Sequence, residues 1–157
     1  MRWGDTWGAA TDDIDLWLTD VNSDLVVGSF NEQSGLNGRD PVEFLTYTAA
    51  STGWYFLRME HFAGGTPSWV QVMSLSGRAL QTATANRSIR SPGDSSNVGM
   101  LAVGASNWAT PTAIESFSSQ GPTIDGRVKP DIVGADGGDA VSYPGGFFGT
   151  SPRPRRT

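Results

Sequence analysis

The sequence has 157 residues, 38% apolar and 17% charged, with Gly 20 and Pro 9, which suits one ordinary domain or two small ones made of short strands and turns and argues against a disordered chain. Its net charge of -5 is unevenly placed: residues 1–85 carry ten acids against four bases, and residues 86–157 six against seven. An acidic front half disfavours nucleic acid as a partner and leaves divalent cations as the more natural ligand, while Cys 0 removes both a disulfide framework and thiolate metal sites.

The first residues, Met1-Arg2-Trp3-Gly4-Asp5, hold no apolar run of signal-peptide length, and no segment approaches the roughly 20 apolar residues of a membrane span. From Asp13 to Thr19 the apolar Ile14, Leu16 and Leu18 alternate with the acids and Trp17, a period of two that predicts a half-buried strand. Val21-Asn22-Ser23-Asp24 supplies turn chemistry, and Leu25 to Phe30 reads as the returning strand of a hairpin. Further strands are expected over Val42 to Thr48, Trp54 to Phe62 and Trp69 to Leu75, separated by Gly-, Pro- and Asn-rich punctuation. Five short strands of this kind predict an antiparallel β-sandwich, jelly-roll-like, over residues 1–85.

Around Gln81 to Pro92 small and turn-forming residues replace the aromatics, which places a domain boundary there. Val98 to Ser106 is a nearly continuous apolar run, as expected of a strand covered on both faces. Ile114 to Ser118, Asp131 to Ala135 and Val141 to Phe148 are further strand candidates, the last leading into Gly149-Thr150-Ser151.

These later residues carry a resemblance. Phe117-Ser118, Gly121-Pro122, Lys129-Pro130-Asp131 and Gly149-Thr150-Ser151 stand in an order and at a spacing that resemble the subtilisin-like serine peptidases, the subtilases, over about residues 88–151. Gly134-Ala135-Asp136 departs from the Ala-Pro usual in that family. The resemblance implies an incomplete segment of an α/β catalytic domain over residues 86–151, with Ser151 as the nucleophile of peptide-bond hydrolysis, a polypeptide substrate and a secreted parent protein. A hydroxyl needs a base and backbone donors for its oxyanion before it can attack. The single histidine, His61, lies in a strand pattern, and neither it nor any acid between Asp5 and Asp24 sits in the family's triad motifs, so the chain by itself is expected to be inactive.

Pro152-Arg153-Pro154-Arg155-Arg156 offers no apolar face and cannot continue the core helix that the resemblance implies after the serine. Alanine codons of a GC-rich gene read one base out of frame give such Pro/Arg runs. Residues 152–157 are therefore expected to be either a frameshift product or a basic tail, and a gene with no alanine-rich alternative frame across these codons would remove the first explanation.

The front domain has its own candidate site. Asp13, Asp15, Asp20, Asn22 and Asp24 concentrate oxygen ligands of the kind calcium takes in sets of roughly six to eight. Asp12-Asp13-Ile14-Asp15-Leu16-Trp17-Leu18 also resembles the opening strand of the pre-peptidase C-terminal type β-sandwiches, some of which bind calcium there. A solvated acidic edge that resists aggregation is the alternative. The six tryptophans raise a different function, a non-catalytic module that binds calcium, glycan or protein, which a row of three exposed indoles would favour.

Overall fold

The computed structural model describes residues 1–34, 38–75, 80–139, 141, 145, 146, 148 and 149. The chain divides into two units, Met1–Ala79 and Leu80–Thr157. Among the described residues there is no helix, and so none long and apolar enough to cross a membrane.

The first unit is organised by β2 (Asp13–Thr19), which pairs antiparallel with β3 (Leu25–Ser29) on one side and β4 (Phe56–Ala63) on the other. The expected period of two is present: Ile14, Leu16 and Leu18 are buried, and Trp17 lies on the opposite face under the Phe30 ring, 4.6 Å between centroids. A second, two-stranded sheet joins β1 (Arg2–Trp3) to β5 (Val70–Gln71). Trp3 from this sheet and Ile14 and Leu16 from β2 form one apolar cluster with Met1, against which Leu45 and Val72 pack. Burying these side chains together is what holds the two sheets against each other.

Both sheets are short, and neither closes into the expected sandwich. Of the expected strand Val42 to Thr48 only Val42 pairs, in a single bridge to Arg2. Glu43 beside it is fully buried, and its carboxylate accepts bonds from the Ser29 hydroxyl, from the Asn31 N–H at 2.9 Å and from Gln33 Nε2 at 2.6 Å. A buried carboxylate must be satisfied in this way, and here the satisfaction comes from side chains and loop backbone rather than from a ladder. The expected Trp69 to Leu75 strand contracts to β5 for want of a longer partner.

The second unit is built on a parallel pair, β6 (Val103–Asn107) and β7 (Ile132–Asp136), in register Val103 to Ile132 through Asn107 to Asp136. Ser106 also bridges antiparallel to Ile114, which is all that forms of the expected strand Ile114 to Ser118. The helices of an α/β layer are not among the described residues, and the apolar run is not covered on both faces. Val98 is wholly exposed and Leu101 and Val103 are exposed, while Ala102, Ala105 and Ser106 are buried. The run is cut short at Ser95–Met100 by turn chemistry. The Asn97 side chain accepts the Gly99 N–H at 2.8 Å, and its carbonyl accepts the Met100 N–H at 2.9 Å. Of the expected strand Val141 to Phe148, residues 142–144 and 147 lie outside the described residues, and Val141 and Gly145 are in turns.

Candidate active site

The motif residues of the second unit first set its backbone. Ser118 is buried, and its Oγ accepts the Ala105 N–H at 3.0 Å, which ties the Phe117-Ser118 motif to β6. A Cβ on Gly104 would come within 2.9 Å of the Pro130 ring, so glycine in β6 is what lets the Lys129-Pro130-Asp131 motif close over it. Asp131 Oδ2 accepts both Lys129 Nζ at 2.6 Å and the Ala102 N–H at 2.7 Å. The Lys129 ammonium and the Ala102 N–H hold the Asp131 carboxyl below the usual carboxylate range. The intervening turn is fixed by Arg127, whose guanidinium donates to Asp125 Oδ2 at 2.8 Å and to the carbonyls of Ser95 and Asp94 at 2.8 and 2.6 Å. The bonds from Arg127 and Thr123 pull the Asp125 carboxyl down to about 2.

With the pair so fixed, the carboxyl ends of β6 and β7 lie side by side at Asn107 and Asp136. Crevices outside the carboxyl ends of parallel strands are where α/β proteins place their ligands. Here the chain returns to that end. Asp136 is buried, and its Oδ1 accepts the Gly149 N–H at 2.8 Å. A Cβ on Gly137 would meet the Phe148 ring at 2.8 Å and the Trp108 ring at 3.3 Å, and one on Gly146 would meet the Gly137 carbonyl at 2.8 Å. Bare glycine backbones therefore let Gly146, Phe148 and Gly149 lie against the end of β7.

A shallow recess of about 280 Å³ opens in the same unit beside Ser88, Ser116, Phe117 and Ser118. Its lining offers hydroxyls and apolar groups and no ionisable side chain.

The expected nucleophile, Ser151, lies outside the described residues, as do Thr150 and the 152–157 tail. His61 lies on β4 in the first unit, exposed and paired opposite Ile14. The candidate calcium ligands fall at the two ends of β2. Asp13 and Asp15 lie at its start, and Asp20, Asn22 and Asp24 in the turn beyond its finish. Seven strand residues span about 20 Å, far more than one coordination sphere. The Asp20 carboxylate is spent on its own turn, accepting the Asn22 and Asp24 N–H groups at 2.8 and 2.9 Å. Among the described residues no three acidic or histidine side chains are placed to share a cation, so these five residues do not fit a single calcium site.

Asp13 is nonetheless unusual. It is 2% exposed with Oδ1 unpartnered among the described residues, and burial pushes its carboxyl above the usual range. The Gln33 N–H opposes that rise, while the Glu32 and Glu43 carboxylates add to it. Burial, followed by the charges of Asp13, Glu43 and Glu60, raises Asp15 in the same direction. Of the five tryptophans in the first unit only Trp7 and Trp54 are exposed, so that unit presents no row of three indoles.

Comparison with models of known families assigns residues 48–154 to the subtilase family of peptidases. That match covers more than half of the 157 residues, and the chain belongs to this family. It begins well before the 88–151 stretch that carries the motifs and takes in β4 and β5 of the first unit, while residues 1–47 lie outside it. No curated protein and no solved structure matches the chain.

Signals for Ser151 and the Lys-Pro-Asp motif were open to sequence reasoning. What it missed is Asp136, singled out in the sequence only as part of Gly134-Ala135-Asp136, where the family usually has Ala-Pro, and the glycines at 104, 137 and 146 whose role is close approach.

Proposed function

We propose that the chain carries the nucleophile-bearing part of a subtilisin-type serine endopeptidase, with Ser151 as nucleophile and a polypeptide as substrate. The observation that supports the reading is the return of Gly146, Phe148 and Gly149 to the carboxyl end of β7, the last of them two residues before Ser151, within a chain of the subtilase family.

In the proposed reaction the Ser151 oxygen attacks the carbonyl carbon of the scissile bond and its proton passes to a base. The C–N bond then breaks, the amine leaves with that proton, and water later cleaves the acyl ester. The base is the part these residues do not supply. The single histidine, His61, is an exposed residue of β4 outside any triad motif, so the reading expects no hydrolysis from the 157 residues acting alone. A secreted setting belongs to the same reading and rests on the family resemblance.

The test is a fluorophosphonate serine probe, applied to the 157-residue chain and to a version extended at both ends. Labelling of the extended form that is lost in Ser151→Ala, with none in the shorter form, is the expected result. No labelling of the extended form would remove the peptidase reading, and labelling of the shorter form at Ser151 would remove the expectation of inactivity.

A further inference from the structure

We propose that Asp136 is a positioning residue, whose Oδ1 takes the Gly149 N–H and so fixes where the segment leading to Ser151 meets the carboxyl end of β7; its bearing on Ser151 rests on the function proposed above.

The placement stands on several independent contacts. The bond from Gly149 to Asp136 spans 13 residues of chain and measures 2.8 Å. Phe148 fills the space over Gly137 beside Trp108, and Gly146 approaches the Gly137 carbonyl too closely for any side chain between them. The Asp136 carbonyl in turn accepts the Trp108 N–H at 2.8 Å, so the same residue anchors the segment that follows β6. Three pieces of chain, after β6, after β7 and before Ser151, therefore meet on Asp136 and its neighbour Gly137.

The residue type is informative. Asp136 is 4% exposed, and its second oxygen, Oδ2, has no partner among the described residues. Burying a carboxylate that is only half satisfied is unfavourable, and a residue serving only to fill space here would be apolar. Gly149 has φ +143, a backbone that L side chains rarely adopt and that continues no sheet, so its N–H needs an acceptor from outside its own segment. A side-chain oxygen on a fixed strand end can supply that acceptor. Asp136 thus supplies from a side chain an anchor that ladder pairing does not provide.

The test follows backbone amides of the ¹⁵N-labelled 157-residue chain by hydrogen exchange in the wild type, Asp136→Ala and Asp136→Asn. Asparagine keeps an acceptor oxygen; alanine does not. The expected result is that the Gly149 amide exchanges about tenfold or more faster in Asp136→Ala and stays near wild type in Asp136→Asn. The Ala102 and Ala105 amides, held by Asp131 and Ser118, should keep their protection in all three. The Ser151 amide resonance should move in Asp136→Ala and return toward the wild-type position in Asp136→Asn, which a general loosening would not produce.

Equal Gly149 exchange in wild type and Asp136→Ala would overturn the proposal. Should Asp136→Ala unfold the unit, the asparagine variant decides: a folded Asp136→Asn with an unprotected Gly149 amide also overturns it. None of these readouts needs activity. A protected, Asp136-dependent Gly149 beside an unlabelled serine in the extended form would support the anchor and sink the peptidase reading, and an unprotected Gly149 beside a labelled Ser151 would sink the anchor alone.

Discussion

The Phe30 ring occupies the space where a Gly28 side chain would stand, and from there leans on Trp17 at a tilt of 53°. Arg58 completes the stack, its guanidinium carbon 5.4 Å from the Trp17 ring. Gly28 in a mid-strand position is unfavourable by propensity, and the ring over it restores the lost packing. Gly28→Ala is expected to destabilise the first unit by about 1–3 kcal/mol through overpacking. Removing the ring as well, in Gly28→Ala with Phe30→Ala, should make the two effects less than additive in urea unfolding followed by tryptophan fluorescence. Strict additivity would show that the ring and the glycine do not share that space.

Lys129 is buried except for about a tenth of its surface, and among the described residues its ammonium reaches Asp131 and the Met100 carbonyl, the latter at 3.1 Å. Asp131→Ala leaves that charge without its counter-ion and removes the acceptor for the Ala102 N–H. A loss of stability is expected, read as faster exchange of the β6 amides. The Asp131 carboxyl is held below its unfolded value. Its contribution is therefore present above the ordinary aspartate range and is lost as pH falls through the lowered folded value. The protection factor of the Ala102 amide, its exchange corrected for the intrinsic rate at each pH, should fall on acidification in the wild type and depend less on pH in Asp131→Asn.

Asp13 works in the opposite sense. Its carboxyl is raised in the folded chain by burial, so the folded state binds that proton more tightly than the unfolded state. The associated stability is present below the unfolded value and is lost as pH rises through the folded one. Asp13→Asn should match the wild type in acid and exceed it at neutral pH, the gap widening with pH. Five of the six tryptophans report on this unit, so fluorescence-detected unfolding at a series of pH values suffices. A gap that narrowed toward neutrality would contradict the assignment.

Gly64 sits at φ +93 where β4 ends, and a Cβ there would come within 2.7 Å of the Asp12 backbone and 2.8 Å of its carboxylate. The Asp12 carboxylate accepts the adjacent Gly65 N–H at 2.6 Å, so the turn is clamped from the segment that enters β2. Gly64→Ala has both the wrong dihedral and a backbone collision. It is expected to lose about 2 kcal/mol or more, whereas Gly53→Ala, with open space around it, should be near neutral by the same thermal melt.

Alternation was enough to read β2 and its hairpin partner, because a strand with one buried face writes its period into the sequence. It was not enough for Val42 to Thr48, where Phe44 and Tyr47 look strand-like but have no ladder to join and stay exposed. Propensity says which residues suit a pleat and says nothing of whether a partner is present. The run from Val98 failed for a different reason. Ser95 and Asn97 offer local hydrogen bonds that win over a ladder, and Val98 and Leu101 remain outside. In the candidate site the Lys-Pro-Asp motif could be read as a family signature, but its physical task, pinning the start of the parallel pair through Asp131, needed coordinates. Asp136 and Gly149 are 13 residues apart with no periodic relation, and only the fold brings them together.

β4 ends its sheet, and Phe56, Leu57, Met59 and Phe62 along it are all exposed. An end strand with apolar side chains exposed along it is a template for another molecule's strand. Arg58 and Glu60, alternating within it and paired at 3.2 Å, and the exposed His61 interrupt that template. The practical outcome is colloidal: dilute, low-salt handling is expected to favour single molecules, and neutralising either charge is expected to raise the tendency to aggregate.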